Sequence, residues 1–552
     1  MTDRPAAANA PAMGAHPERQ VEVQLGHLCN NRCVFCVSGQ LSEQDRAPQL
    51  PVEPILRQIR EARQNGAARI TLLGGEPTIQ RSFAQILKAA VELDFDEVVI
   101  FTNGVMTPRE GFRQRTQELL AGLGPDHKKR TVWRFSLQGG DHASHDATTI
   151  NPGSFQRILD SLAILHGQGA RLSGNMCAVE SNYRSVVHLA AIAEQFQLEN
   201  LHIDVMRPRD AGERSEHELR AMLPRYADMA KAFLALSREV DRRLGPGWDL
   251  NFGNLPYCTG LPISHRIHHD GGDTVTVAAD GQGNTQEGFD KYADKRSDKH
   301  FLPSCSQCVF QSRCSGVFDT YREFFGNAEF QPVDAERLWQ HDTAGHHFAL
   351  LAEKPLRDAG LQVEGVDERA GQLSVRQGPW LWRLQRAGRT PLANAVGTLS
   401  AERWQAAVLR APLPDPAALQ GALELAGTIA TALGGAGPTP AAWQRFQATW
   451  QQQARQQNQS ARQAQQVVAG VAARLRGRRL GDLDFATADL QPDLALLRWG
   501  EPDAQLTVKV SARRDEQGRL RPHFEHEAVG LSGDRVAALS RALGQELRAA
   551  AR

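Results

Sequence analysis

The cysteines of this chain fall into two groups whose spacing suits metal binding. The first group, Cys29, Cys33 and Cys36, has the spacing C-x3-C-x2-C directly after a short apolar run. Three thiolates this close together can bind three corners of one iron–sulfur cube and leave its fourth iron free for another ligand. The alternative is a zinc site with His27 as the fourth ligand, although His27 lies too close to Cys29 for an easy tetrahedral arrangement. The first group therefore indicates a thiolate metal site.

The second group lies in the middle of the chain. Cys258 stands alone, and Cys305, Cys308 and Cys314 follow with the spacing C-x2-C-x5-C. Four thiolates complete a closed site, which is either a four-cysteine zinc site or an iron–sulfur cluster. Cys177 belongs to neither group. Its place in an apolar run predicts a buried structural cysteine, with a role near a substrate as the alternative.

Length, charge and composition exclude several classes of protein. The chain has 552 residues, of which 41% are apolar and 23% charged, as is typical of a soluble globular protein with several domains. Lys plus Arg and Asp plus Glu both number 63, so the zero net charge argues against nucleic acid or an anionic membrane as a partner. No run of 18 apolar residues occurs, and residues 1–20, predicted as a disordered tail, lack the apolar segment of a signal peptide. Clustered cysteines without an export signal predict a reduced, cytoplasmic protein.

The elements that must position these residues are short strands alternating with helices. Six runs rich in Val, Ile, Leu and Phe are predicted as strands at residues 21–25, 69–73, 97–102, 132–137, 172–179 and 201–206. Amphipathic stretches between them predict helices, and helical crossovers make the strands parallel. The result is an α/β fold, either an open sheet or a barrel, in which ligands bind at the carboxyl ends of the strands.

Glycine and polar residues follow several of these runs at the end where ligands bind. Gly74-Gly75-Glu76-Pro77 follows the second run, Asn103 the third, Ser136 and Gln138 the fourth, and Asn182 the fifth. Together with the first cysteine group, in which Phe35 is the aromatic residue before the last cysteine, this order of motifs resembles the radical SAM superfamily. Taken singly, each of the asparagine, serine and glutamine positions could be an ordinary polar residue at a strand end, and the glycine pair a plain turn.

The resemblance implies a partial (βα)6 barrel over residues 21–245 that binds a [4Fe-4S] cluster through the three cysteines of the first group. The open iron would bind S-adenosylmethionine (SAM). Its one-electron cleavage gives a 5′-deoxyadenosyl radical that takes a hydrogen atom from a substrate. A one-electron reductant such as flavodoxin or ferredoxin would be a partner. No catalytic acid or base is indicated by the sequence.

The resemblance also implies which residues contact SAM. Gly74, Gly75 and Glu76 would hold the methionine amine, and Phe35 would lie beside the adenine. The further contacts that it implies are Pro77, Asn103, Ser136, Gln138 and Asn182. Of these, Ser136 and Gln138 would contact the ribose or the methionine carboxylate.

The spacing of the second group resembles the SPASM domain, a region that carries auxiliary iron–sulfur clusters in radical SAM enzymes. The full pattern has seven cysteines, and here Phe318 stands where a further cysteine is expected, so the resemblance is closer to the shortened, twitch-like version. It implies one auxiliary [4Fe-4S] cluster within residues 246–333, with zinc as the alternative. It also favours a ribosomally made peptide or a protein side chain as the substrate. The alternatives are a small molecule in cofactor or natural-product biosynthesis, and a non-catalytic metal-binding scaffold.

The remaining residues show local patterns of secondary structure. A hairpin is predicted near residues 273–279. Residues 334–436 and 437–552 are predicted as two α+β regions without cysteine. Strand-like runs at residues 361–366, 372–376 and 380–384 are followed by helical segments to about residue 436. A Gly/Pro-rich linker at 434–440 then precedes a long helix over 441–475, four strand-like runs between 482 and 528, and a closing helix from about 534.

Overall fold

The computed structural model of the protein describes residues 19–123, 126–269, 272–278, 288–390, 396–491, 494–515, 517 and 519–549. The predicted tail, residues 1–20, lies almost entirely outside these ranges. The chain divides into two compact units, one ending at Leu351 and the other beginning at Ala352. No helix within the described ranges combines the length and the apolarity that a membrane crossing needs.

A ten-stranded sheet forms the centre of the first unit. Its strands are β1 (Gln20–Gln24), β2 (Arg69–Leu73), β3 (Glu97–Thr102), β4 (Thr131–Ser136), β5 (Arg171–Ala178), β6 (Asn200–Val205), β7 (Asp249–Gly253), β8 (Ile267–His268), β9 (Thr274–Ala278) and β10 (Phe289–Asp290). The order is β10-β9-β1-β2-β3-β4-β5-β6-β7-β8, with β9 through β8 parallel and only β10 antiparallel to its neighbour. Each of the six predicted strands is found within one residue of its predicted bounds, and the α/β class is confirmed.

The described residues between 37 and 358 also form α-helices. They are α1 (Val37–Glu43), α2 (Val52–Gln64), α3 (Phe83–Glu92), α4 (Glu110–Gly122), α5 (His127–Arg130), α6 (His142–Thr149), α7 (Ser154–Gly167), α8 (Leu189–Gln195), α9 (Glu216–Met222), α10 (Tyr226–Leu244), α11 (Lys291–Arg296), α12 (Asp319–Phe325), α13 (Ala335–His341) and α14 (Phe348–Asp358). A small antiparallel pair, β11 (Lys299–His300) and β12 (Val317–Phe318), lies near the second cysteine group in the chain.

The alternation of side chains along the strands gives the barrel an apolar outside and a polar inside. In β6, Leu201 and Ile203 are fully buried in the outer core, whereas His202 and Asp204 line an interior cavity. On the outside, Phe233 of α10 stacks on Phe252 of β7 with ring centroids 4.6 Å apart. The outer core fixes the helices, and the inner face is left free for chemistry.

The residues after 245 extend the barrel sheet. β7 and β8 continue it beyond β6, and β9 pairs in parallel with β1, with Thr274 opposite Gln20. The hairpin predicted near residues 273–279 is confirmed in part: β9 is its first strand, and the antiparallel partner is the next strand of the chain, β10, at residues 289–290. A local pattern of alternating Thr and Val cannot show that the free edge of β1, far away in the sequence, supplies a partner.

The second unit contains two antiparallel sheets and three long helices. The first sheet has the order β13-β14-β15-β17-β16, with strands β13 (Gln362–Asp367), β14 (Gln372–Gln377), β15 (Trp380–Arg386), β16 (Gly397–Ser400) and β17 (Trp404–Arg410). The second sheet has the order β18-β19-β20-β21, with strands β18 (Phe485–Leu490), β19 (Leu494–Glu501), β20 (Ala504–Arg514) and β21 (Leu520–Val529). The helices are α15 (Pro416–Leu433), α16 (Pro440–Leu475) and α17 (Gly533–Ala549).

Most of the predicted elements of this unit are present. The three early strand runs, the long helix, the four later strands and the closing helix are confirmed. The predicted helical segments up to about residue 436 are confirmed in part, as α15, but β16 and β17 come first. In β17, residues of good helix propensity such as Ala406 and Leu409 are held in a strand that buries Trp404, Ala406, Ala407 and Val408.

Candidate functional site

The first cysteine group lies on the loop between β1 and α1, at the carboxyl end of the parallel strands. Helix α1 begins directly after Cys36, which is its N-cap residue. The thiol of Cys33 interacts electrostatically with the thiols of Cys36 and Cys29. The structure therefore brings together the three side chains that the sequence predicted as ligands.

Backbone hydrogen bonds attach this loop to the end of α6. The amide of Arg32 donates to the carbonyl of Thr149 at 2.9 Å, and the amide of Val34 donates to the carbonyl of Thr148 at 3.0 Å. The Arg32 guanidinium in turn donates to the carbonyl of Cys29 at 2.6 Å. These bonds use the carbonyls at the end of a helix, which otherwise lack a partner, and they fix the path of the loop.

The donor set of this loop fits an iron–sulfur cluster. Burial, and then the carboxylate of Glu76, raise the pKa of Cys29 to about 12, and burial holds the pKa of Cys33 well above its usual range. Such thiols lose their protons when a cationic centre binds them. Two N–H groups also face Cys29 Sγ, the amide of Asn31 at 3.4 Å and Asn103 Nδ2 at 3.8 Å. Soft thiolate ligands with N–H groups directed at sulfur are typical of iron–sulfur sites.

Gly74 and Gly75 let the loop after β2 contact the cysteine loop directly. The amide of Gly75 donates to the carbonyl of Gly26 at 2.7 Å, and the amide of Glu76 donates to the carbonyl of Leu28 at 2.8 Å. A Cβ atom on Gly75 would lie 2.1 Å from that Leu28 oxygen, and one on Gly74 would lie 2.7 Å from the Gly26 oxygen. The glycine pair is therefore required for loop-to-loop packing, whatever contact it also makes with a ligand.

Glu76 joins the ends of β2 and β3. Its Oε1 accepts hydrogen bonds from Thr78 N at 3.1 Å, Thr78 Oγ1 at 2.5 Å and Thr102 Oγ1 at 2.7 Å, and its Oε2 accepts from Asn103 N at 2.7 Å. Burial raises the pKa of Glu76, and these hydrogen bonds oppose the shift. The carboxylate thus has a structural role that the sequence did not indicate, next to its predicted contact with the methionine amine. Pro77, also a predicted contact, is buried at the start of a 3-10 turn, Pro77–Ile79.

Asn103 connects the loop after β3 to the cysteine loop. Its Nδ2 donates to Asn30 Oδ1 at 2.7 Å, and its Oδ1 accepts from the amide of Val105 at 3.1 Å. The side chain is therefore held next to Cys29 and positions the cysteine loop. Its predicted contact with SAM stays a prediction.

The polar residues after β4 and β5 are joined to one another. Asn182 Nδ2 donates to the carbonyls of Gln138 at 3.1 Å and Cys177 at 2.9 Å, and its Oδ1 accepts from the amide of Val179 at 2.8 Å. All three bonding groups of Asn182 are thus used within the protein, which supports the structural alternative for this residue. Gln138 Oε1 accepts from the amide of Cys177 at 3.0 Å. Ser136, the last residue of β4, is half-buried at the same end of the barrel.

Phe35 and Cys177 lie in a small apolar cluster at the ends of β5 and β6. Its fully buried members are Val179, Met206, Ala211 and Leu223. Cys177 also lies within electrostatic range of Cys33 and Cys36, and burial holds its pKa well above the usual range. The structure therefore places the eighth cysteine next to the first group, a proximity that spacing along the chain could not show.

The structure also brings together the four cysteines of the second group. The thiol of Cys258 interacts electrostatically with those of Cys314, Cys308 and Cys305, and its pKa is raised to about 12 chiefly by burial. The amide of Gly316 donates to Cys314 Sγ at 3.4 Å. The fold thus brings Cys258 close to the other three cysteines, although at least 46 residues lie between them in the chain.

A chain of buried polar side chains leads from the second group to the interior of the barrel. Lys299 Nζ donates to Ser315 Oγ at 2.9 Å, directly after Cys314 in the chain, and to Asn254 Oδ1 at 2.7 Å. Asn254 Nδ2 then donates to Asp204 Oδ1 at 3.0 Å. Burial lowers the pKa of Lys299 to about 8. Sequence reasoning missed this chain because its members are far apart and none belongs to a motif.

Phe318, at the position where the longer cysteine pattern has another ligand, covers this lysine. Lys299 Nζ lies 4.6 Å from the centre of the Phe318 ring, and the two residues face each other across β11 and β12. Phe318 is fully buried. The Phe318 ring, which stabilises the buried cation of Lys299, thus stands at the position where the longer pattern has a cysteine.

A cavity of about 520 Å³, called the lumen here, lies inside the barrel below the cysteine loop. Its lining is mostly polar and charged. It includes Glu22, Arg69, Glu97, Arg134, Arg171, Asn175, Glu199, His202, Asp204, Asp249, Asn251, Asn254, His268, Lys291, Tyr292 and Lys295. Helix α11, which supplies the last three, is held by Arg207, whose Nη1 lies 2.6 Å from Asp294 Oδ2 and whose Nε lies 3.0 Å from Asp298 Oδ2. The volume suits a small molecule or one or two side chains of a larger substrate.

Within the described ranges, no three His, Cys, Asp or Glu side chains are placed to hold one metal ion.

Comparison with known proteins identifies the first half of the barrel. Residues 23–191 match the profile of the radical SAM superfamily. A GTP 3′,8-cyclase of Synechocystis sp. is 24% identical over 190 residues, which cover 34% of this chain and 54% of the relative. The sporulation killing factor maturation protein SkfB of Bacillus subtilis is 28% identical over 160 residues, covering 29% of this chain and 36% of SkfB. The chain therefore spans about half or less of the length of these curated relatives.

Two solved structures are similar over a longer part of the chain. SuiB of Streptococcus suis bound to S-adenosylmethionine is 15% identical, covers 57% of this chain and 76% of SuiB, and has a TM-score of 0.40. The anSMEcpe protein with bound AdoMet and a peptide is 13% identical, covers 61% of this chain and 99% of its own, and also has a TM-score of 0.40.

The matched residues coincide with the site described above. They begin within β1, include the cysteine loop, the glycine pair, Glu76, Asn103 and the polar residues after β4 and β5, and end within α8. The profile match and the convergence of these residues at one end of a parallel sheet both indicate a radical SAM domain within residues 23–191.

Proposed function

We propose that this protein is a radical SAM enzyme that modifies a ribosomally made peptide or a protein side chain. The observation that carries the proposal is the convergence of three thiols on a loop that is locked to the glycine pair at the open end of the barrel. When bound there, a [4Fe-4S] cluster and SAM would supply a 5′-deoxyadenosyl radical that removes a hydrogen atom from the substrate. The name of SkfB, a maturation protein, favours a peptide substrate.

The residues of the barrel would hold and orient these groups. Cys29, Cys33 and Cys36 would bind the cluster, and the loop after β2 would contact the methionine part of SAM. The hydroxyl of Ser136 and the Nε2 group of Gln138, which have no hydrogen-bond partner among the described residues, are available to a ligand. The lumen below would hold the reacting part of the substrate away from bulk water.

The second cysteine group is proposed to bind an auxiliary [4Fe-4S] cluster within residues 246–333. Four thiols that interact electrostatically, with an N–H group directed at one sulfur, suit such a cluster. Four-cysteine zinc is the competing assignment. A cytoplasmic location and a reductant such as flavodoxin or ferredoxin belong to the same proposal, since the clusters need a reduced environment and an electron source.

A second candidate function is the modification of a small molecule. It is favoured by the similarity to GTP 3′,8-cyclases and by the limited volume of the lumen. The two candidates differ in their products. A peptide-modifying enzyme gives a peptide of altered mass, whereas the other candidate gives a modified small molecule and leaves peptides unchanged. Mass spectrometry of short peptides encoded near this chain, incubated with the reduced enzyme and SAM, distinguishes them.

The proposal is tested by anaerobic purification, analysis of iron and sulfide, and an assay for 5′-deoxyadenosine with a strong reductant. About eight irons per chain are expected, as two cubes require, together with formation of 5′-deoxyadenosine. Zinc in place of iron, or no cleavage of SAM, would contradict the enzyme assignment.

Three matched substitutions separate the two cysteine groups. Cys33→Ala is expected to abolish SAM cleavage and to lower the iron content to about four per chain. Cys308→Ala is expected to lose the second cluster and keep some SAM cleavage. Cys177→Ala, at a cysteine of neither group, is the control and should keep about eight irons. An unchanged iron content in Cys308→Ala would show that the second group binds no iron.

A further inference from the structure

The charged side chains at the lower end of the lumen neutralise one another. Arg69 Nε lies 2.5 Å from Glu97 Oε2, and Arg171 Nη2 lies 3.0 Å from Glu97 Oε1. Arg171 Nε also lies 2.7 Å from Glu199 Oε1. These two arginines and two glutamates close the amino-terminal end of the barrel as a balanced network.

The lysines of α11 are also neutralised. Lys291 forms an ion pair with Glu22. Lys295 Nζ lies 3.7 Å from Asp204 Oδ1, and His202 Nε2 lies 3.0 Å from Asp204 Oδ2. The remaining carboxylate, Asp249, is exposed at the lower rim and accepts from Asn251 Nδ2 at 2.7 Å.

Arg134 is the exception among the basic side chains of the lumen. It lies on the inner face of β4 and lines the lumen, and its one hydrogen bond is from Nε to Ser173 Oγ at 3.3 Å. Among the described residues, no carboxylate lies within ion-pair distance of its guanidinium, and Nη1 and Nη2 make no hydrogen bond. Burial and the charge of Arg69 lower the pKa of Arg134, whereas the charges of Glu97 and Glu22 oppose the shift. A guanidinium held in this way lacks the partner that such a group normally has.

We propose that Arg134 binds a carboxylate of the substrate through its two terminal nitrogens. The proposal deepens the proposed function, on which it rests, because it names the chemical class of the group that enters the lumen. The planar fork of a guanidinium matches the two oxygens of a carboxylate. Nη1 and Nη2 are the groups left free for this contact, since Nε is bonded to Ser173.

The ion pairs of the lumen favour a carboxylate over a phosphate chain. The lining contains five basic side chains (Arg69, Arg134, Arg171, Lys291 and Lys295) and five acidic ones (Glu22, Glu97, Glu199, Asp204 and Asp249), and Arg134 is the basic one that makes no ion pair among the described residues. One negative charge is therefore enough to pair it. A di- or triphosphate would add further negative charges beside Glu22, Glu97 and Asp204, and desolvated like charges repel strongly.

The position of Arg134 along β4 determines which part of the substrate would react. Arg134 precedes Ser136, the last residue of β4, by two positions, or about 7 Å along the strand. A carboxylate bound there lies deep in the lumen, and the atoms attached to it extend toward the cysteine loop. The reacting carbon would then lie a few bonds from the carboxylate, as many as are needed to span the distance from Arg134 to the end of β4.

Binding of small acids to the iron-loaded protein tests the proposal, with calorimetry under anaerobic conditions as the readout. The probes are glutarate, the blocked amino acids acetyl-Glu-amide and acetyl-Gln-amide, and pyrophosphate. We expect acetyl-Glu-amide or glutarate to bind and acetyl-Gln-amide and pyrophosphate to bind at least about tenfold more weakly. Preference for acetyl-Glu-amide would identify an acidic peptide side chain as the source, and preference for glutarate a small acid.

Substitutions at Arg134 complete the test. Arg134→Gln should weaken carboxylate binding at least about tenfold, and Arg134→Lys, which keeps the charge without the fork, should bind with intermediate affinity. Arg184→Gln, on the exposed outer surface, is the matched control and should bind as the original protein does. If Arg134→Gln does not fold, as judged by iron content and circular dichroism, Arg134→Lys alone carries the comparison. Undiminished carboxylate binding in the folded variants, or tighter binding of pyrophosphate than of any carboxylate, would overturn the proposal.

The failure of this proposal is distinct from the failure of the proposed function. Carboxylate binding is measured without a reductant, so it does not depend on SAM cleavage. Formation of 5′-deoxyadenosine by the original protein without added acid reports on the radical SAM reaction alone. Loss of carboxylate binding in Arg134→Gln, together with SAM cleavage by the original protein and by the Arg184→Gln control, is the expected combination.

Discussion

Substitution of Gly75 by alanine tests whether the glycine pair is required for the packing of its loop against the cysteine loop. A Cβ at this position would lie 2.1 Å from the carbonyl oxygen of Leu28 and 2.5 Å from that of His27. Real Cβ atoms essentially never approach closer than 3.0 Å, so the Leu28 carbonyl must move by about 0.9 Å. Both obstacles are backbone atoms, which cannot rotate away as a side chain can.

The cost follows from the contacts that this movement breaks. The hydrogen bonds from Gly75 N to Gly26 O, at 2.7 Å, and from Glu76 N to Leu28 O, at 2.8 Å, both join the two loops. Each contributes about 0.5–1.5 kcal/mol, and forcing an extra methyl group into a packed site costs about 1–3 kcal/mol. We therefore expect Gly75→Ala to lower the free energy of unfolding by about 2–6 kcal/mol.

Two measurements check this expectation. Urea denaturation of the anaerobically purified protein gives the free energy of unfolding, and iron analysis gives the occupancy of the clusters. The displaced loop should lose the first cluster, so that iron falls from about eight to about four per chain. The matched control is Gly167→Ala at the end of α7, where no atom lies within 4 Å of an added Cβ; its stability should change by less than about 1 kcal/mol. Full iron content and unchanged stability in Gly75→Ala would refute the reasoning.

Three further predictions concern buried polar groups. Glu76→Gln should lower the free energy of unfolding by about 2–4 kcal/mol in urea denaturation, because one amide donor must face a donor of Thr78, Thr102 or Asn103; equal stability of Glu76→Gln and the exposed control Glu92→Gln would contradict this. Lys299→Met should lower the iron held by the second cysteine group and spare the first, because Lys299 joins Ser315 to Asn254; unchanged iron would show that the chain of side chains does not support that group. Burial lowers the pKa of His145 to about 4 and those of His269 and His347 to about 3. Below about pH 6.5 the unfolded state therefore binds more protons at these histidines than the folded state does. The free energy of unfolding should then be greatest above about pH 6.5 and fall as the pH drops, by up to about 1.4 kcal/mol per pH unit for each histidine. His145→Phe, which removes two ring nitrogens that have no hydrogen-bond partner, should lessen this dependence in urea denaturation at pH 5 and 7; an unchanged slope would exclude His145 as a contributor.

The strands of the barrel could be predicted because each is a local pattern. The run at residues 97–102 is mostly buried, contains four β-branched residues, and is found as β3 with the same bounds. The same reasoning was wrong for β17, where Ala and Leu favour a helix but two neighbouring strands supply hydrogen-bond partners. Local preference decides an element only where tertiary contacts agree with it.

The candidate site could be predicted to the level of its motifs. The cysteines of both groups do converge, since their spacing is set by the chemistry of the ligands that they hold. The structure adds roles that the motifs did not suggest: Asn182 uses its whole amide within the protein, and Glu76 joins two strand ends. A motif states which residue types are present, whereas hydrogen-bond partners depend on which loops become neighbours.

The sequence by itself determined the positions of six parallel strands and the cysteines and polar residues that follow them. It did so because thiolate spacing and strand periodicity are properties of short segments. Only the tertiary structure decided which charges meet inside the barrel. Arg134 lies 39 positions from its hydrogen-bond partner Ser173, and Lys299 lies 45 positions from Asn254. Such pairs depend on the register in which the strands of the sheet meet, so only the structure shows that Arg134 is without an ion pair among the described residues.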